Sequence, residues 1–212
     1  MFHLSQVLPI PLKEQRLSES EIWRTELDLS SNERCFISAP SGKGKTTFHL
    51  ILYGIRKDYE GEVLLDNKSI QKLTLDDWAI IRQKRLSIIF QDLRLFPNLT
   101  ALENLTLKNS LTNFKTESQL IEMAERLGVS EFLNKAAGIL SYGQRQRFAI
   151  IRALCQPFEL LLMDEPFSHL DSANIEKACK LIQEECSSQN AGFVIASLGD
   201  NYFLEYDRIL KL

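Results

Sequence analysis

Long apolar runs are missing from this chain of 212 residues. No window approaches the roughly eighteen consecutive apolar residues of a membrane-crossing helix. Met1-Phe2-His3-Leu4 has neither a basic start nor a long apolar centre, so no export signal is expected. No lipidation signal or basic amphipathic helix is visible. The expected protein is soluble and cytoplasmic, peripheral on the cytoplasmic face of a membrane only through a partner. A surplus of positive charge is also missing: 25 Lys and Arg stand against 28 Asp and Glu, and the longest basic cluster is Arg82-Gln83-Lys84-Arg85. No nucleic acid is therefore expected as a main partner. Cysteines are few, and Cys35, Cys155, Cys179 and Cys186 lack metal-ligand spacing. Cys179 and Cys186 share a helical face with Ile175, Ala178 and Ile182, which reads as buried thiols in a reducing compartment. With no repeat, low-complexity tract or linker, and 44% hydrophobic content, residues 1–212 are expected to form one domain.

Partial alternation in Phe2–Val7 and Glu21–Leu29, separated by Pro9 and Pro11, predicts two edge-type antiparallel strands. Further strands are expected to end at Ala39 and to span 62–65, 86–90, 160–163, 193–197 and 208–211. Helices are expected from the glycine turn to Ile55, then over 75–82, 101–108, the stripe Leu120, Ile121, Ala124 and Leu127, 141–154 and 172–186. The alternation predicts an α/β fold with a mostly parallel sheet and ligands beyond the carboxyl ends of its strands, where Ala39, Gln91, Asp164 and Ser197 fall. Residues 91–140 read as a helical insertion, with 1–90 and 141–212 as the core subdomain.

The chemistry begins at Cys35-Phe36-Ile37-Ser38-Ala39-Pro40-Ser41-Gly42-Lys43-Gly44-Lys45-Thr46-Thr47. A strand, a glycine-bearing turn and a helix start point consecutive backbone N–H groups and a helix dipole at one spot, which suits a phosphate. Lys45 adds positive charge, and the Thr46 hydroxyl can join a magnesium ion. The phosphate-loop pattern is met from its second glycine onward, with Ala39 in place of the first. Gly-Lys-Ser/Thr alone arises by chance in roughly one chain in ten of this length, so the rest of the chain has to decide.

Asp164 and Glu165 follow a buried apolar run and reach the same sheet edge. One of them could cap the next helix, but phosphoryl chemistry uses two acids, one for magnesium and one to polarise the attacking water. In Leu140-Ser141-Tyr142-Gly143-Gln144, Ser141 and Gln144 make a capping box. Capping does not require the full run, whose core Leu-Ser-x-Gly-Gln should occur by chance in about one chain in several hundred.

The loop, Gln91, the Ser141 run, Asp164-Glu165 and Ser168-His169-Leu170-Asp171 stand in the order found in ABC-type ATPases, which the chain resembles over nearly its whole length, most of all the lipoprotein-releasing, macrolide-efflux and cell-division branch. The resemblance implies a P-loop NTPase that binds ATP and Mg²⁺. It implies that Ser41, Gly42, Lys43, Gly44, Lys45, Thr46 and Thr47 cradle the phosphates. Thr46, Gln91 and Asp164 would serve the metal, and Glu165 would be the general base. It further implies that Ser141, Gly143 and Gln144 contact ATP held by a second subunit and that Asp171 lies at the interface, in a homodimer or pseudo-symmetric dimer. The segment 91–104 is similar to the part that docks on an integral membrane permease. Leu93, Leu95 and Phe96 either do that or fill the helical insertion, and an exposed apolar groove would decide between the two.

Four departures stand out. No histidine follows His169, and Leu198 occupies the place where the family carries one to contact the γ-phosphate. Loss of one preorganised donor typically lowers a rate on the order of 10²- to 10³-fold, so slow hydrolysis is expected. Tyr142 replaces a signature glycine, a position expected to be tolerant. Ala39 must keep a negative φ or bear strain. An adenine-stacking aromatic is missing from Gln15–Ser20, leaving Phe2 or Trp23 as substitutes. The chain also ends directly after its last expected strand, so no regulatory domain is expected. Two functions follow: a transporter ATPase, or a nucleotide-dependent interaction protein with weak hydrolysis. A DNA-associated ABC protein lacks its basic face and its long coiled-coil insertion.

Overall fold

The computed structural model describes residues 1–14, 20–198 and 202–212. In chain order the strands are β1 (Phe2–Pro9), β2 (Glu26–Leu29), β3 (Arg34–Ser38), β4 (Tyr59–Leu65), β5 (Lys68–Ser69), β6 (Leu86–Ile89), β7 (Leu160–Asp164), β8 (Gly192–Ser197) and β9 (Arg208–Lys211). The helices are α1 (Lys45–Leu52), α2 (Leu75–Lys84), α3 (Ala101–Asn109), α4 (Glu117–Arg126), α5 (Tyr142–Leu154) and α6 (Ser172–Ser188).

A parallel sheet runs β6-β7-β8-β3-β9, and an antiparallel sheet runs β2-β1-β4-β5. The expected α/β class, with an N-terminal antiparallel region, is therefore what the chain adopts. All five residues of β7 and all six of β8 are buried, as befits strands covered on both faces. Alternation divides their side chains between two cores. Cys35, Ile37, Leu160, Leu162, Val194 and Ala196 join α1, Trp78 and Ile81 of α2, and the antiparallel sheet. Phe36, Leu161, Met163, Phe193 and Ile195 join helices α3 to α6. Among the described residues, four helices start with capping boxes: Thr74 with Asp77, Thr100 with Glu103, Thr116 with Gln119, and Ser141 with Gln144. Each places a side-chain oxygen on an otherwise orphan N–H, and so marks its helix start in the sequence.

Several expectations need correction. β1 is no edge strand: it pairs with β2 on one side and β4 on the other, because β4 returns after α1 to take its free side. β2 starts only at Glu26, since Ser20 Oγ accepts the Ile22 and Trp23 N–H groups and Arg24 turns with φ 59°. Helix α1 ends at Leu52; Gly54 at φ 70° closes it, and Ile55 is exposed rather than part of the apolar stripe. The two-residue β5 carries no signal in the sequence.

Candidate functional site

β8 lies between β3 and β7 in a parallel sheet, so the ends of all three strands open on one edge. There, Ser41, Gly42, Gly44, Lys45, Thr46, Thr47, Gln91 and Glu165 line a cleft of about 250 Å³ together with Leu12. Lys43 does not line it; its carbonyl accepts a hydrogen bond from Trp23 Nε1 at 3.1 Å. Gly44 sits at φ 101°, with Leu12 and Trp23 packed beneath it. Ala39 keeps a negative φ and is buried, so its substitution for glycine brings no left-handed strain.

Lys45 is buried, with Nζ 3.1 Å from Glu165 Oε1 and donating to the Ala39 carbonyl at 2.9 Å. Thr46 Oγ1 donates to Gln91 Oε1 at 3.3 Å, and Gln91 Nε2 donates to Glu165 Oε2 at 3.4 Å. A chain of contacts thus joins four predicted residues that lie up to 120 positions apart in sequence. Glu165 adopts φ 48°, and its N–H donates to Ala196 O at 3.0 Å, which turns its carboxylate back over the loop. Neither acid caps a helix. Asp171 does, accepting from Asn174 N, and this removes the capping alternative for Asp164 and Glu165.

Asp164 is buried, and among the described residues its Oδ1 has no hydrogen-bond partner. Asp164 does not line the cleft, whereas Thr46 and Gln91 do, their side chains meeting at 3.3 Å; oxygen donors of this hard kind fit a magnesium ion. Sequence reasoning missed His49. Its Nδ1 lies 4.0 Å from Asp164 Oδ1, and its ring nitrogens lie 3.2 Å from the Lys45 and Val194 carbonyls. Burial pushes its pKa down, against the pull of Asp164, so a neutral imidazole is favoured beside the carboxylate. The signal was a polar side chain one turn after Lys45 on the buried stripe of α1. Gln146 was also missed: it is buried, and it ties Glu165 O, Ser168 Oγ and His169 N together.

Ser141, Gly143 and Gln144 do not line this cleft. Ser141 Oγ accepts from Gln144 N while Gln144 Oε1 accepts from Ser141 N, so the serine's own proton is left to donate outward. Phe2 and Trp23 are each 1% exposed and cannot offer a face to adenine; they are core residues. The Gln15–Glu19 part of the adenine window lies outside the described residues. Leu198, at the end of β8, is exposed.

A second cavity of about 360 Å³ lies between β6 and α3, lined by Tyr53, Phe90, Arg94, Phe96, Leu107, Lys108, Leu111 and Arg152, among others. Leu93 is buried and Leu95 partly so, both filling the interior, whereas Phe96 is 54% exposed. Leu93 and Leu95 therefore fill the interior, and Phe96 lines the groove. Burial, then the nearby Arg152 charge, pushes the Lys108 ammonium down to about 8.

A glycine loop around a buried lysine, facing a carboxylate from the next strand but one, defines a P-loop nucleotide-binding protein. The sequence profile of the ABC transporter family matches residues 23–168. The chain belongs to the ABC transporter family, as an ATP-binding subunit. The lipoprotein-releasing system ATP-binding protein LolD of Legionella pneumophila is 33% identical over 190 residues, covering 88% of this chain and 84% of that protein. The putative hemin import ATP-binding protein HrtA of Staphylococcus epidermidis is 28% identical over 202 residues, covering 93% and 90%. Among solved structures, the dimeric bacterial ABC transporter cassette MJ0796 is similar with TM-score 0.79 and 28% identity, over 94% of this chain and 88% of that one. Its post-hydrolysis dimer with ADP and Pi gives 0.78. No helix among the described residues is long and apolar enough to cross a membrane.

Proposed function

We propose that two copies of this chain, or one copy and a close relative, close head to tail on two ATP molecules and that the ensuing hydrolysis drives a separate membrane-spanning permease. The observation that carries this reading is the division of phosphate-binding groups. Lys45, Thr46, Gln91 and Glu165 share one cleft, while the Ser141 helix start, with N–H groups and a hydroxyl proton to donate, lies outside it. The dimeric MJ0796 cassette supports such an arrangement.

The Ser41–Thr47 loop would hold the phosphates through its N–H groups. Lys45 would exchange Glu165 for the γ-phosphate, freeing that carboxylate. Glu165 would then take a proton from the water whose oxygen attacks the γ-phosphorus as the bond to the bridging oxygen breaks, with Gln91 orienting that water. Mg²⁺ held by Thr46, Gln91 and Asp164 would neutralise charge on the phosphates. Residues 1–90 and 141–212 would form the core and 91–140 the helical subdomain. The groove beside Phe96 would receive a helical segment of the permease, its apolar wall burying that segment's apolar face. The names of the relatives mention lipoproteins and hemin, which fits a motor whose cargo is chosen by the permease.

Mixing tests the shared site. Lys45→Ala alone and Ser141→Arg alone should each lose turnover, whereas a mixture of the two should recover about a quarter of the wild-type MgATPase rate, from dimers with one intact composite site. A mixture as inactive as its components would remove the head-to-tail arrangement.

The exposed Leu198 favours a second reading, in which ATP binding assembles a complex and hydrolysis is slow. Leu198→His should then raise kcat roughly tenfold or more, toward the 10²-fold contribution of a preorganised donor. An unchanged kcat would locate the cause of slow turnover elsewhere.

A further inference from the structure

Helix α5 holds the segment after Gln91 from both of its ends. At its start, Tyr142 Oη donates to the Gln91 carbonyl at 2.8 Å. Toward its end, Arg152 donates to the Leu93 carbonyl at 2.6 Å and to the Arg94 carbonyl. Between these points Leu93 and Arg94 are consecutive left-handed residues, at φ 60° and 48°. Two such non-glycine residues in sequence are strained and persist only when their surroundings hold them. Tyr142 is itself held: its ring lies 4.1 Å from that of His169, and the Arg145 guanidinium lies 5.3 Å from the ring centre. A glycine at position 142 would have no atom able to reach Gln91, so the link belongs to the tyrosine.

We propose that Tyr142 is a positioning residue, a tether that makes the Gln91 loop and the Ser141 helix start move as one unit within a subunit. The same strained turn carries Arg94 and leads to Phe96 in the apolar groove, so a displacement there reaches Gln91 and Ser141 together. The tether sets where Gln91 stands relative to Glu165 and to the Thr46 hydroxyl, the one cradle side chain bonded to Gln91 among the described residues. Its catalytic consequence rests on the role proposed above for Gln91; its structural consequence does not.

Tyr142→Phe keeps the ring on His169 and removes only the hydroxyl. Without nucleotide, the Leu93 and Arg94 amides, which donate to the Phe90 and Asp92 carbonyls, should exchange with deuterium about twofold to tenfold faster than in the wild type, the effect of one part-exposed hydrogen bond. With MgATP, kcat should fall by a similar factor while KM stays within about twofold, a split that loss of overall stability would not give. Unchanged exchange overturns the tether whatever the kinetics show, and faster exchange with unchanged kcat overturns its positioning role. A wild-type protein that hydrolyses no ATP would defeat the proposed function, while the exchange result would still judge the tether.

Discussion

Glu165→Gln is expected to lower the MgATPase turnover by on the order of 10²- to 10⁴-fold, the usual contribution of a positioned general base. It should at the same time tighten ATP binding. Glu165 Oε1 lies 3.1 Å from Lys45 Nζ, so the γ-phosphate has to compete with this anion for the lysine. Glutamine has nearly the same shape but no charge, and it competes less for the ammonium. Hydrolysis would no longer empty the site, and a stable ATP-bound dimer should accumulate. Phosphate-release kinetics and light scattering with and without MgATP check the two halves. Equal turnover in both proteins would take the base role from Glu165. Lost turnover without a dimer would leave the base in place and count against the head-to-tail assembly.

Gly44→Ala is expected to weaken MgATP binding about tenfold or more and to lower the melting temperature by roughly 2–10 °C, as an L-residue forced to φ 101° stores about 1–3 kcal/mol. An added Cβ would come within 2.8 Å of Leu12 Cδ1 and 3.2 Å of Trp23 Cζ2. Leu12 can rotate away. Trp23 cannot easily do so, being 1% exposed, packed edge-on against Phe48 and bonded through Nε1 to the Lys43 carbonyl. Relief would come from the loop, which would lift Gly44 and swing the neighbouring N–H groups out of register with a phosphate. Calorimetric titration and thermal unfolding measure the two effects. Unchanged affinity would mean that the loop recovers its shape when nucleotide binds.

Much of the site was legible because its signals are local. A glycine turn before a helix, a carboxylate pair after a buried run and a serine three residues before glutamine declare themselves within a few residues, and each lies where expected. The errors arose where partners are distant. β1 looked like an edge because its second neighbour, β4, follows some fifty residues later. Trp23 looked available for adenine because nothing nearby in sequence announces that the loop packs over it. Tyr142 looked inert because its hydroxyl serves a carbonyl 51 positions away.

The sequence by itself determined the kinds of groups this ATP-binding subunit carries and their order along the chain, including the absence of a histidine beyond β8. Backbone propensities and caps act over three or four residues, so they can be read without coordinates. Only the tertiary structure decided which of those groups meet. It set Lys45 against Glu165, His49 beside Asp164 and Tyr142 on Gln91, and it kept Ser141 out of its own subunit's cleft. Those pairings follow from strand order and from the faces buried between two cores, and both depend on the whole chain at once.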